Sequence, residues 1–229
     1  MGQPRKRNKP HNDVRKATTI GISNLGMYAA PYWLRELQPF LNPHIKIIDY
    51  DRLPSDLDFI IFDGGADVYP SFYGEIREAH TSSHIKRDSL EMFIFNRYFN
   101  TPTKYIGICR GHQLLNVFMR GTLHQDLPSI GKGHTMEHNV VTKHSILQSF
   151  VPNKFYVNSL HHQAVKDIGF GLMPSLLEPK TDIVEGLEMN MDLALPLNLQ
   201  DKIRSVQCHP EMAGFKYADE LMKYLFRIS

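Results

Sequence analysis

Cysteine is scarce in this chain. Two residues, Cys109 and Cys208, stand in 229, too few and too far apart for a disulfide framework. That scarcity predicts a reducing compartment, the cytoplasm. Long apolar runs are missing too: none approaches the roughly 18 residues that span a bilayer, so no transmembrane helix is expected. The first residues are polar and basic, which predicts no secretory signal. No Gly-Lys-Ser/Thr follows a glycine-rich turn, which excludes a phosphate loop, and neither Cys-x-x-Cys nor His-Glu-x-x-His occurs. Neither sign of charge dominates, with 26 basic and 24 acidic residues. The excess is local: residues 1–16 hold six Lys or Arg against Asp13, a net of +5, which leaves −3 for the rest. With no aromatics among those basic residues, a solvated, disordered extension is expected over 1–17, and nucleic acid is not an expected partner. Residues 18–229 suffice for one well-packed domain, and no internal repeat divides them.

The most informative segment is Tyr105-Ile106-Gly107-Ile108-Cys109-Arg110-Gly111-His112-Gln113. An apolar run ends in a Gly-x-Cys-x-Gly turn, and a helical pattern follows at once. That order is a nucleophile elbow: a strand delivers a side chain onto a sharp turn and a helix leads away. Gly107 and Gly111 let strand and helix approach closely. A thiol at a helix N-terminus faces the positive end of the dipole, which favours thiolate. A buried structural cysteine would need no such turn.

A cysteine nucleophile needs a base, and the base an orienting group. Val206-Gln207-Cys208-His209-Pro210-Glu211 offers both. In extended chain, residues two apart point the same way, so Glu211 reaches one nitrogen of His209 and leaves the other for Cys109. The same alternation turns Cys208 into packing. The residue after an elbow nucleophile supplies an oxyanion N–H, here Arg110. The second donor is expected from the run Phe59–Asp67, where Gly64-Gly65 exposes backbone amides.

Strand-like Thr18–Ile22, Ile45–Ile48 and Phe59–Phe62 alternate with helical patterns over Pro31–Phe40 and around Ile85–Tyr98. That alternation predicts an α/β fold with a mostly parallel sheet covered on both faces. Ligands in such sheets bind beyond the carboxyl ends of the strands, where Cys109 and the diglycine loop would lie. From Gly121 to Glu188 short runs predict a small antiparallel addition, and Ala213–Phe226 a closing helix. His161 and His162 fall in a strand-like run, so one of them is expected to face the site. His134 and His138 have a zinc-like spacing only on a helix, and Gly131 and Gly133 oppose one there. No metal or cofactor is expected.

Taken together, these segments resemble the class I glutamine amidotransferase superfamily, in its gamma-glutamyl hydrolase branch. The resemblance runs from about residue 18 to the end and is carried, in order, by several stretches. They include Gly64–Pro70, Arg87-Asp88 with Glu91, Gly107–Gly111 with Gln113, Asn158-Ser159 with His161–Val165, and His209-Pro210-Glu211. It implies a flavodoxin-like three-layer sandwich and cleavage of a γ-glutamyl amide through a thioester on Cys109. His209 would be base then acid, and Glu211 its orienting group. Gly65 and Arg110 would form the oxyanion hole, with Gln113 and His161 beside the substrate. Cys208 stands where such hydrolases carry tryptophan. The leading expectation is a freestanding hydrolase acting on a small γ-glutamyl substrate. The alternative is a glutaminase subunit feeding ammonia to a separate synthetase, and intact Cys109, His209 and Glu211 disfavour a catalytically dead scaffold. A homodimer, and a synthetase under the alternative, are the protein partners left open.

Overall fold

Three loops of the fold converge on one edge of its sheet, and the strands that carry them can be read from their apolar runs. The structure, a computed structural model, describes residues 17–26, 30–133, 136–212 and 214–228. The basic residues 1–16 and His134 lie outside these. The elements, in chain order, are β1 (Thr18–Ser23), α1 (Ala30–Leu37), β2 (Pro43–Ile48), β3 (Phe59–Phe62), α2 (Ile85–Tyr98), β4 (Lys104–Ile108) and α3 (Arg110–Phe118). Then follow β5 (Leu123–His124), β6 (Glu137–Thr142), β7 (Lys154–Asn158), β8 (Ala164–Val165), β9 (Leu172–Leu177), β10 (Val184–Met189), β11 (Ile203–Val206) and α4 (Ala218–Phe226).

Strands β2-β1-β3-β4-β11 pair in parallel, and the sheet continues antiparallel through β10-β9-β6-β7, with β8 and β5 branching from β10. Alternation along the parallel strands builds two cores. Ile60, Phe62 and Tyr105 pack with Leu90, Ile94, Leu114 and Phe118 of α2 and α3. Their neighbours Ile61, Ile106 and Ile108 join Trp33 and Leu37 of α1 and Leu221 and Leu225 of α4 on the other face. Each such side chain, fully buried, contributes about 1.5–3 kcal/mol. The chain is thus the three-layer α/β sandwich expected, its parallel strands central.

Helix α4 starts later than the sequence pattern suggests. Gly214 has φ 137°, outside the helical range, so the chain enters the helix only after Tyr217. Of the expected apolar side, Leu221, Met222, Leu225 and Phe226 are buried and Tyr224 joins them, while Phe215 lies before the helix and is only partly buried. His138 lies on strand β6 rather than on a helix.

The loops after β3, β4 and β11 leave the same, carboxyl edge of the sheet. They carry the diglycine, Cys109 and His209, the placement open parallel sheets give to ligand sites.

Candidate active site

Cys109 has φ 50° and ψ −106°, a left-handed backbone that non-glycine residues rarely adopt. Such strain persists only where the surroundings enforce it, and it clusters at functional sites. Here the enforcement is visible. A Cβ on Gly111 would lie 1.8 Å from the Phe62 carbonyl oxygen, and one on Gly107 2.7 Å from the Gly111 carbonyl. Helix α3 therefore starts in direct contact with β3 and β4, and Cys109 is the residue at the bend. Its N–H donates to the Val206 carbonyl at 2.9 Å, tying the elbow to β11. The Arg110 amide opens the helix, in the turn whose N–H groups lack intrahelical acceptors.

His209 Nδ1 and Glu211 Oε1 are 2.7 Å apart, both side chains buried. The reach differs from the extended one expected: β11 ends at Val206, and Pro210-Glu211 lies in a turn closed by Met212 N–H to the His209 carbonyl at 3.1 Å. Asn158 grips the His209 backbone at two points, donating to its carbonyl at 2.9 Å and accepting from its N–H at 2.8 Å. Burial disfavours a charged His209 ring. Hydrogen bonds and charges of Cys109 and Glu211 outweigh it and push His209 up to about 10. The neighbouring His112 goes the other way: fully buried, it is lowered to about 4, with its nitrogens against Ser205 Oγ at 3.0 Å and the Val184 carbonyl at 3.3 Å. It belongs to the packing. Cys208 is buried in the α1/α4 core, and burial raises its thiol well above the ordinary value.

Gln113 Nε2 donates to the Gln163 carbonyl at 2.8 Å and to Gln207 Oε1 at 3.0 Å, and Gln207 Nε2 lies 3.7 Å from Cys109 Sγ. Gln113 thus ends a chain of amides beside the sulfur. Gln207 and Asn158 were not singled out as site residues in the sequence; only their place beside His209 and within the Asn-Ser stretch hinted at them.

The Arg110 side chain turns away from the cleft into a buried ion network. It donates to Asp88 and, at 2.5 Å, to Glu91. Arg87 bridges Glu91 at 2.9 Å, Asp63 at 2.5 Å and the Gly64 carbonyl at 2.9 Å, while Asp88 accepts from Tyr69 N–H at 2.9 Å. Burial alone would lower the Arg110 guanidinium, but Glu91 and Asp88 raise it. Burial also raises the Asp88 carboxyl, against the pull of Arg110. Helix α2 thereby fastens both the elbow and the diglycine loop. Gly65 itself, at φ 142°, is open to the cleft.

His161 and His162 both line that cleft, contrary to the alternation expected of a strand, because residues 159–163 are irregular with a bend at His162. His161 Nδ1 faces the Gln163 carbonyl at 2.9 Å, and its Nε2 lies 3.7 Å from Glu185 Oε1, which His138 approaches to 3.3 Å.

The cleft, about 250 Å³, is lined by Gly65, Asp67, Cys109, Arg110, Gln113 and the two histidines, among others. A larger cavity of about 530 Å³, between Met173, Met189 and Arg204, shares none of these residues and holds no cysteine. Among the described residues, no three His, Cys, Asp or Glu side chains are grouped to hold a metal ion. Nor is any described helix long and apolar enough to cross a membrane.

The solved structures of a glutamine amidotransferase and of PurLQS, both from Thermotoga maritima, share the fold. Their TM-scores are 0.57 and 0.66, each at 14% identity, over 90% and 92% of this chain and 80% and 98% of theirs. In sequence, the chain is 32% identical to PB2B2.05 of Schizosaccharomyces pombe, provisionally named a glutamine amidotransferase, over 93% of this chain and 85% of that one. It is 30% identical to the gamma-glutamyl-gamma-aminobutyrate hydrolase PuuD of Escherichia coli K12, over 77% of this chain and 72% of that one. Against the amidotransferase-like YvdE of Lactococcus lactis, at 33% identity, it spans 66% of the relative's length and 68% of its own. With a match to Peptidase C26 over residues 38–211, which include the elbow and His209-Pro210-Glu211, the chain belongs to the Peptidase C26 family of class I glutamine amidotransferase-like proteins.

Proposed function

We propose that this protein is a cysteine hydrolase that cleaves a γ-glutamyl amide through a glutamyl thioester on Cys109, releasing glutamate and an amine. One observation carries the reading. The strained elbow cysteine is matched by a buried histidine whose ring it helps to raise and which Glu211 backs at 2.7 Å. A ring raised to about 10 is an imidazolium at neutral pH, and a cationic neighbour favours a cysteine's nucleophilic, deprotonated form. The thiolate attacks the amide carbonyl. The developing oxyanion meets the Gly65 and Arg110 N–H groups, a donor pair of which each member is worth about 10²–10³ in rate. His209 then gives its proton to the amine nitrogen as the C–N bond breaks. Water, losing a proton to the now neutral ring, attacks the thioester, and the thiolate departs from glutamate. Glu211 holds the ring's other nitrogen throughout, while Gln113 and His161 hold the glutamyl group.

A glutaminase that passes ammonia to a separate synthetase uses the same steps with glutamine as substrate. The name and 93% coverage of the fission-yeast relative favour that second reading. A screen of γ-glutamyl compounds with the isolated protein, reading released glutamate and amine, separates the two. Turnover of substituted amides without a partner supports the hydrolase; glutamine turnover that appears only with a partner supports the glutaminase.

A further inference from the structure

The diglycine loop is held at two points, one on each side of Gly65-Ala66. On the N-terminal side Arg87 binds Asp63 and the Gly64 carbonyl, deep in the ion network. On the C-terminal side the hold is Asp67, whose N–H donates to the Ser82 carbonyl at 2.8 Å and whose carboxylate also meets a histidine. His162 Nε2 lies 3.2 Å from Asp67 Oδ1 and 3.3 Å from Oδ2, while Nδ1 lies 3.2 Å from Asp126 Oδ1. Each ring nitrogen thus faces a carboxylate oxygen, and an ionised carboxylate only accepts.

The two carboxylates are themselves fixed. Asp67 Oδ2 accepts from Ser82 N–H at 2.7 Å, and Asp126 Oδ2 from Ser129 N–H at 3.0 Å. The backbone of His162 is tied as well, its carbonyl accepting from Leu127 N–H at 2.7 Å. Burial would raise the Asp126 carboxyl, but the bonds from His162 and Ser129 lower it, so the contact favours the ionised carboxylate. The aspartate side chains are only 13% and 11% exposed against 39% for the ring, so this is no fully solvated ion pair.

We propose that His162 is a positioning residue: bridging Asp67 and Asp126 at the mouth of the cleft, it clasps the C-terminal side of the diglycine loop and so holds the Gly65 amide toward the Cys109 site. This rests on the reading of Cys109 as nucleophile and Gly65 as oxyanion donor. The clasp joins three segments far apart in sequence: the loop after β3, the turn after β5 and the loop between β7 and β8. Asp67 is two residues from Gly65, within about 7 Å along an extended chain, so a shift of the clasp reaches the donor directly. Of the side-chain holds, Arg87 is buried and His162 is half-exposed, so the histidine is the one a substitution can remove without unburying a charge.

The decisive residue is Asp126, which does not line the cleft. If His162 acts through the loop, Asp126→Ala should lower kcat on the order of tenfold, a fraction of the loss of an oxyanion donor outright, with KM within about threefold. His162→Gln should behave the same way, and the double variant should fall no further than the worse single one, as for residues acting as one unit. Melting temperatures recorded alongside identify a folding defect; should Asp126→Ala unfold, Asp126→Asn, which keeps an acceptor for Ser129, carries the same expectation at smaller size. Wild-type kcat in the Asp126 variant, or a His162→Gln effect confined to KM, would overturn the clasp in favour of direct substrate contact. Additive losses in the double variant would overturn it too. Failure of wild type to form a glutamyl adduct on Cys109 is a different result: it removes the hydrolase reading, and the clasp with it.

Discussion

The parallel and antiparallel halves of the sheet contribute to the cleft in different ways. Cys109, His209 and the diglycine loop all leave the carboxyl ends of parallel strands, β4, β11 and β3. Each is fixed by contacts that leave no room: Gly111 against the Phe62 carbonyl, Arg87 and Arg110 in the ion network, Cys109 N–H on Val206. The antiparallel half contributes Asn158, His161, His162 and Gln163 from β7 and the irregular β7–β8 loop; Asn158, His162 and Gln163 are held by hydrogen bonds to other loops, and His161 by one to Gln163 in its own loop. Under the proposed mechanism the parallel half performs the chemistry, and the antiparallel half positions and selects. Changes in the first should abolish turnover or the fold; changes in the second should shift rate and affinity.

The largest expected effect is that of Cys109→Ala, which should abolish turnover of any γ-glutamyl amide while circular dichroism and melting stay close to wild type. Substantial residual activity would break the comparison at its strongest point. Gly111→Ala should unfold rather than merely inactivate. Its Cβ would sit 1.8 Å from backbone that cannot yield, and overpacking of this kind costs about 1–3 kcal/mol or more. Denaturant melts check this, and an unchanged midpoint would show that the elbow has slack.

Next comes the base. His209→Ala should cost more turnover than Glu211→Gln, which removes the charge but leaves an acceptor near the ring. The raised His209 also sets a sign for pH. Its folded value of about 10 exceeds the ordinary 6.5, so its stabilising contribution is complete below 6.5 and lost as pH rises toward 10. Melts of wild type should weaken across that window more than melts of His209→Gln, which has no such ring. Equal slopes would contradict the raised histidine. In the antiparallel half, His161→Asn should raise KM severalfold more than it lowers kcat, in steady-state kinetics on the same substrate. A kcat loss equal to that of His209→Ala would move chemistry into that half. Smallest of all, limited alkylation should label Cys109 first and leave Cys208, buried and with its thiol raised, protected until unfolding; peptide mapping reads the order.

The same division governed what the sequence disclosed. Strand–turn–helix order is local, so Phe59–Phe62, the elbow and α2 were legible from runs and glycines. The cleft residues of the other half depend on non-local pairing. His161 and His162 were read as alternating strand residues, whereas the chain bends at His162 and brings both to the cleft. Glu211 meets His209, but through a turn that no period-2 pattern describes. The ion network was equally hidden: Arg87, Asp88, Glu91 and Arg110 are residue types usually exposed, and only the packing of α2 against α3 and the diglycine loop buries them together. Helix α4 lost its first turn to Gly214, a glycine whose conformation sequence alone leaves free.

The most direct test of the central claim uses the isolated protein and one γ-glutamyl amide. Acid quenching during turnover, followed by mass spectrometry of the peptide that carries Cys109, should find a glutamyl adduct on that residue. Glutamate and the free amine should be released without any added partner, and the adduct should be absent from Cys109→Ala. Undiminished hydrolysis by Cys109→Ala, or an adduct on another residue, would contradict the account.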